Sequence, residues 1–360
     1  MRTTSKWSAK CALVLAVGAY FAAYGPPAIA EPIAQQIEQR STIGFDSTYQ
    51  VGDQQGFGVS DGGFAPVSYA VRESTAAGGA GSRSLGTTWG GAEFKARYEH
   101  QWVFPAFRWS KSALAAENNI TVGAVTGVSP ISATQELRVT ATPVAFLQAH
   151  GGASIGSGWN LQVFDGLGAV DPETGEVDST SFSGAVIRAF LGGTFQFDLA
   201  AVLPGAWNHV VTVVSPQFVY STLSSANATT AWSFENDEGA NYNGWTRRLT
   251  AVLGHQPPLP TVETIGVLYE SEQMVGSALE RARKSATEAF DPGFRTDRWG
   301  LLVNLVLGAD RSHSITVIPQ IQRNRLASEE TVFNAGVQRR ETVGSYWDFY
   351  RVVVQYRFRL

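Results

Sequence analysis

The feature that most limits how this chain can fold is a two-residue alternation kept up over runs longer than a globular strand needs. From Gly90 onward, Ala92, Phe94, Ala96, Tyr98, Trp102 and Phe104 are apolar or aromatic, and Glu93, Lys95, Arg97, Glu99 and Gln101 stand between them. Successive strand residues point to opposite faces, so this segment has one apolar and one charged face. Residues 183–199 repeat it, with Ala185, Ile187, Ala189, Leu191, Phe195, Phe197 and Leu199 on one side and Arg188, Thr194, Gln196 and Asp198 on the other. A soluble β-sandwich would also alternate, but its strands typically run only about 3–10 residues. A barrel closed in a membrane uses longer strands, apolar toward lipid and polar toward the bore, and has no open sheet edge. The expected fold class is all-β, an antiparallel transmembrane β-barrel of about 12 strands (10–14 bracket the reading).

Turn residues and alternation place the strands at 43–51, 64–72, 88–108, 119–126, 132–148, 183–199, 207–223, 246–253, 261–270, 299–308, 313–325 and 346–359. With both termini periplasmic, the short connections 127–131, 200–206, 254–260 and 309–312 fall on the periplasmic side. The long ones, 149–182, 224–245, 271–298 and 326–345, fall outside. That asymmetry is the habit of such barrels; the connection 73–87 is longer than it predicts. Pro143 and Pro216 interrupt two strands and call for bulges. Residues 274–290 break the β pattern: Met274, Val275, Ala278, Leu279 and Ala282 recur at helical spacing, which predicts one loop helix.

Residues 1–30 read as a cleaved secretory signal peptide. Arg2, Lys6 and Lys10 precede an uncharged stretch from Cys11 to Tyr24, and Ala28-Ile29-Ala30 supplies the cleavage pattern before Glu31. The stretch is shorter than the roughly 20 residues of a membrane-spanning helix. Residues 31–360 then form a single barrel domain whose first part, 31–42, is a short periplasmic segment. Removing the signal leaves 24 basic against 31 acidic residues, a mature charge of −7, and no cysteine. Thiolate metal sites and a basic nucleic-acid surface are excluded. A mean hydropathy of −0.06 suits strands that alternate.

The closing segment repeats the pattern. Tyr350, Val352, Val354, Tyr356, Phe358 and Leu360 alternate with Arg351, Val353, Gln355, Arg357 and Arg359. This strand resembles the C-terminal signature of bacterial outer-membrane β-barrel proteins, although it ends in Leu360 where Phe is usual and lacks the glycine often found upstream. The resemblance implies a Gram-negative outer membrane, with its lipids and the barrel-insertion machinery as partners, and Tyr356, Phe358 and Leu360 as the insertion signal. It specifies architecture and no functional subfamily.

Alternation also assigns sides. Phe94, Tyr98, Phe195, Phe197, Tyr356 and Phe358 are expected to face lipid. The bore receives Lys95, Arg97, Arg138, Arg188, Arg351, Arg357 and Arg359, and Asp46, Glu93, Glu99, Glu136 and Asp198. Charges facing water set a pore's selectivity; the alternative is an ion-pair network that fills the barrel. A twelve-stranded cylinder is intermediate between barrels filled by side chains and open porins. Trp102, Trp109, Tyr346, Trp347 and Tyr350 sit where an interfacial aromatic girdle belongs.

Gly152-Ala153-Ser154-Ile155-Gly156 matches the G-x-S-x-G nucleophile elbow, but no helical pattern follows, so it reads as a strand end or glycine-rich loop. His150 nearby keeps an outer-membrane hydrolase as a remote alternative. The histidines form no metal-ligand spacing, so neither metal nor cofactor is expected. The leading expectation is a passive channel, a porin for small hydrophilic solutes with weak anion preference, its closing-strand arginines forming a positive stripe. The alternative is a non-conducting structural or adhesive barrel. An assembly of identical chains is left open.

Overall fold

The alternation becomes a ring of hydrogen-bonded strands. A computed structural model describes residues 37–50, 91–107, 118–161, 164–170, 177–227, 230–235, 241–277, 279, 293–308, 310–334 and 337–360. Twelve of its strands close a barrel: β1 (Glu38–Gln50), β2 (Gly91–Pro105), β3 (Asn119–Ser129), β4 (Ser132–Val144), β5 (Leu147–Gly158), β6 (Val186–Asp198), β7 (Val210–Leu223), β8 (Gly244–His255), β9 (Val262–Val275), β10 (Thr296–Leu307), β11 (His313–Asn334) and β12 (Val337–Arg359). Each pairs antiparallel with its neighbours in sequence, and β12 closes on β1 with Thr42 opposite Arg359 and Asp46 opposite Gln355. No strand edge of the ring is left unpaired, as a wall in lipid requires.

Several expected boundaries move. The segment 132–148 is not one strand but a hairpin: β4 and β5 meet at a Val144–Leu147 pair across Ala145 and Phe146. Pro143 lies in the register break between Ala141 and Val144, where its missing N–H cannot serve the ladder. The expected strand 64–72, the connection 73–87, residues 1–30 and Trp109 all lie outside the described residues. A split on one side and an undescribed segment on the other leave the number at twelve. The hairpin also reverses the side of the connection 127–131. Its tight Pro130-Ile131 turn lies at the same end as the long connections after β5, β7 and β9, hereafter the loop end. The chain termini mark the opposite, terminal end, where β1 already begins at Glu38 within the supposed lead-in 31–42.

Residues 326–345 are not a long loop either. β11 and β12 continue through them as 22- and 23-residue strands paired as far as Asn334 and Val337. About 9–11 residues cross a bilayer, so this hairpin projects past the loop end. Its sequence, rich in Glu, Arg and Thr, carries no alternation to announce it. Met274 and Val275, expected in a helix, instead finish β9. Gly276, at φ +82°, then turns the chain, and most of 278–290 lies outside the described residues.

Candidate functional site: the bore and its mouth

Register decides which side chains meet inside. Asp46 on β1 stands opposite Lys95 on β2, and Gly44 opposite Arg97. Asp46 accepts from Arg357 Nη1 at 2.6 Å and also pairs with Arg97. Arg138 pairs with Glu99 and lies 3.9 Å from Glu136. Farther round, Arg248 Nη2 meets Glu272 at 2.8 Å. Gln320 Nε2 donates to Glu270 at 2.7 Å, and Arg351 Nε donates to Gln320 Oε1 at 2.6 Å. Much of the expected lumen set is therefore joined in pairs, because inward neighbours on adjacent strands lie only about 5 Å apart.

The expected arginine stripe on the closing strand is dispersed. Arg357 is committed to Asp46, and Arg359 is exposed at the terminal rim. Asp198, expected to line the lumen, caps a 3-10 turn at the terminal end. Its carboxylate accepts from Ala200 N–H at 3.0 Å and stands 2.7 Å from His209 Nδ1. Glu93 belongs to β2, and its side chain lies outside the described residues.

At the loop end the connections fold into the mouth. Leu167–Val170, Val177–Ser179 and Trp232–Phe234 form a three-stranded sheet across it. Leu167, Val186, Leu223, Trp232 and Phe234 pack as a small apolar core, with Trp232 at 0 % exposure. Asn243 ties the sheet to the wall: its Oδ1 accepts from Trp232 Nε1 at 3.0 Å and Leu223 N–H at 2.8 Å. Gly156 makes room for Phe234, since a Cβ there would stand 2.9 Å from the ring. The next residue, Glu235, takes φ +56°, a left-handed conformation that a non-glycine residue holds at some cost. That turn aims its carboxylate into the bore, 2.5 Å from Lys95 Nζ and 2.9 Å from Ser132 Oγ. Lys95, only 6 % exposed, lies over Gly127. Burial alone would raise the Glu235 pKa. The adjoining Lys95 ammonium, the hydrogen bonds from Lys95 and Ser132, and the field of Arg188 outweigh it and hold the carboxyl below its ordinary range.

Beneath this cap lies a cavity of about 590 Å3, lined by Arg138, His150, Ser154, Arg188, Gln217 and Arg248 among others. Arg188 stands out. Its Nε is buried without a hydrogen-bond partner, its guanidinium lies 5.6 Å from the Phe234 ring centroid, and it makes no ion pair among the described residues. Arg351 likewise makes no ion pair there. Ser154 and His150 both face this cavity, yet they sit four residues apart on one face of β5. That spacing is about 13 Å along a strand, far beyond the reach of a nucleophile and its base.

The outward face carries Phe45, Phe94, Tyr98, Phe195 and Phe197, all exposed, with Phe45 stacked on Phe94 and Tyr356. Tyr356 and Phe358 also face outward, against His313, and Leu360 is exposed at the terminal end. Of the expected girdle, Trp347 is outward and exposed, and Trp102 is on the outward face but only 4 % exposed, edge-on to His100. Tyr350 and Tyr346 are not girdle residues. A bulge opposite Gln320 and Ile321 adds Tyr350 to β12 and reverses the alternation beyond it. Tyr350 thus turns inward to 6 % exposure between Arg298 and Arg351, and Tyr346 falls opposite buried Asn324.

Sequence reasoning missed two outward aromatic pairs at different heights, Tyr220 with Trp245 and Tyr269 with Trp299. It also missed Arg248, Arg298, Glu270, Glu272 and Glu235. The parity signal existed for the strand residues, but the bounds 246–253, 261–270 and 299–308 cut off Trp245, Glu272 and Arg298. Nothing in the sequence points Glu235 into the bore.

No protein-family model matches the sequence, and neither does any curated protein. Among solved structures the chain is similar to a KdgM porin, at 11 % identity and a TM-score of 0.34 over 88 % of this chain and 98 % of that one. It is similar to the outer membrane channel DcaP of Acinetobacter baumannii at 9 % and 0.34, over 90 % and 97 %. The same organism's outer membrane protein Omp33 matches at 9 % and 0.31, over 91 % and 100 %. At such identity and score these likenesses add nothing to the closed antiparallel barrel described by this chain's own hydrogen bonds.

Proposed function

We propose that this chain, exported by cleavage after Ala30, is an outer-membrane channel for small hydrophilic solutes with a weak preference for anions. The apolar outer belt and polar bore support the membrane setting. The observation that carries the channel reading is the cavity of about 590 Å3 with the unpaired Arg188 guanidinium on its wall. An ion confined there meets a cation that no carboxylate among the described residues neutralises by contact, and low-dielectric walls strengthen that field. The mature charge of −7 is spread largely over loops, which salt screens within about 8–10 Å. Single-channel recording in planar bilayers under a salt gradient tests this reading. The wild-type reversal potential should indicate anion preference, and Arg188→Gln should move it toward cations. An unchanged potential in Arg188→Gln removes Arg188 from the path.

A second reading, a non-conducting barrel that presents surface loops, is favoured by the apolar cap across the mouth. Absence of conductance in both proteins, with the barrel folded, would select it. The hydrolase reading has no support from the separation of Ser154 and His150.

A further inference from the structure

The outward wall near the loop end carries a charge cluster that the bore does not use. Across β9 to β12 the register aligns Tyr269, Trp299, Ile321 and Phe349 in one outward row, the upper edge of the apolar belt. One row nearer the loop end the belt stops on β9, β10 and β11, while β12 still presents exposed Trp347. There Ser271 stands opposite Asp297, and Arg323 opposite Trp347. Asp297 is 3 % exposed although it belongs to the outward face. It accepts from Tyr269 Oη at 2.8 Å, Arg295 Nε at 3.0 Å and Arg323 Nη1 at 3.1 Å. Arg323 Nε also donates to Ser345 Oγ at 3.0 Å. On β8, a further row toward the loop end, exposed Arg247 stands opposite Gln273, to which its Nη2 donates at 3.3 Å.

We propose that this surface binds the phosphate of a phosphorylated glycolipid of the outer leaflet, with the acyl chains lying on the belt below. The inference rests on the outer-membrane reading. Two guanidiniums share the Asp297 carboxylate and Arg247 adds a third charge beside them, so positive charge is left over at the level where headgroups begin. Asp297 takes one N–H from each of Arg295 and Arg323 and so fixes two planar forks side by side. Both Nη groups of Arg295, Nη2 of Arg323 and Nη1 of Arg247 keep donors without a partner among the described residues. Phosphate oxygens match such forks two at a time, which an ammonium could not offer. The apolar row directly beneath favours a lipid over a free anion, because inorganic phosphate would use the arginines and leave Trp299, Ile321 and Phe349 uncovered.

The test uses full-length protein purified from outer membranes into zwitterionic detergent, with bound lipid read by native mass spectrometry. Diphosphoryl lipid A should bind, and the same glycolipid stripped of phosphate should bind at least tenfold more weakly. Each arginine facing an anionic headgroup contributes about fivefold, so the triple variant R247Q/R295Q/R323Q should weaken binding of diphosphoryl lipid A about a hundredfold. The bore variant Arg188→Gln should leave it unchanged. Heat-modifiable migration on gels checks that each variant is folded; if the triple variant is not, Arg247→Gln and Arg323→Gln singly should each lose about fivefold. Equal binding of phosphorylated and stripped lipid, or full displacement by millimolar inorganic phosphate, would overturn the site. So would a triple variant that binds diphosphoryl lipid A as tightly as the wild type. A chain absent from the outer membrane would overturn the membrane reading itself, and the site with it.

Discussion

At the residue scale the bore is governed by which charges have partners. Lys95 and Glu235 come from a wall strand and a loop 140 residues apart, and each is the other's neutralising contact. A carboxyl whose folded pKa lies below its unfolded value stabilises the fold fully above that unfolded value, about 4.3 for Glu. The contribution fades as pH falls through the folded value. Amide exchange of Trp232–Phe234 should therefore stay protected from neutral pH down to about pH 5 and rise only in stronger acid. Glu235→Gln strips Lys95 of its charged partner and should loosen the cap by about 2–3 kcal/mol at neutral pH, with little further change on acidification. Equal protection of both proteins from neutral pH to about pH 3 would show that the pair does not hold the cap.

At the element scale, alternation makes each strand a ruler of depth. Leu191 sits midway along β6, faces outward and is 68 % exposed, while Phe197 lies one residue from its terminal end. Arginine at the lipid midplane costs about 2–4 kcal/mol and near the interface only about 0–1. Leu191→Arg should thus destabilise reversible refolding far more than Phe197→Arg, and Thr194→Arg, facing the bore, should cost less than Leu191→Arg. Similar losses at all three positions would contradict the register. The same ruler misreads β12 above Arg351, because one extra residue at the bulge turns Tyr350 inward. A bulge is set by how β11 and β12 pair, and no local residue pattern announces it.

For the whole molecule, wall and cap are separable. The wall is a continuous hydrogen-bonded ring, whereas the cap depends on a core of five buried side chains. Trp232→Ala should remove about 3–5 kcal/mol from that core, as large aromatic truncations do. The ring should persist, seen as unchanged heat-modifiable migration, while conductance in planar bilayers rises. Loss of the folded band would mean that wall and cap fold as one unit; unchanged conductance would mean that the cap does not obstruct the path.

The sequence by itself determined the architecture, because a period of two sustained through Phe94–Phe104, Phe195–Phe197 and Tyr356–Phe358 leaves a wall with one apolar and one polar face. It also determined that Lys95, Arg97, Arg138, Arg188 and Arg357 point inward, since parity is a local property of a strand. It could not determine who meets whom. The partners of Asp46 lie 51 and 311 residues away along the chain, and only strand register joins them. Tertiary structure alone decided that Arg357 is committed to Asp46 while Arg188 has no ion pair among the described residues, that Glu235 returns from a loop to Lys95, and that Asp297 gathers two arginines on the outer wall. Each of these depends on distances across the sheet, which a one-dimensional pattern does not contain.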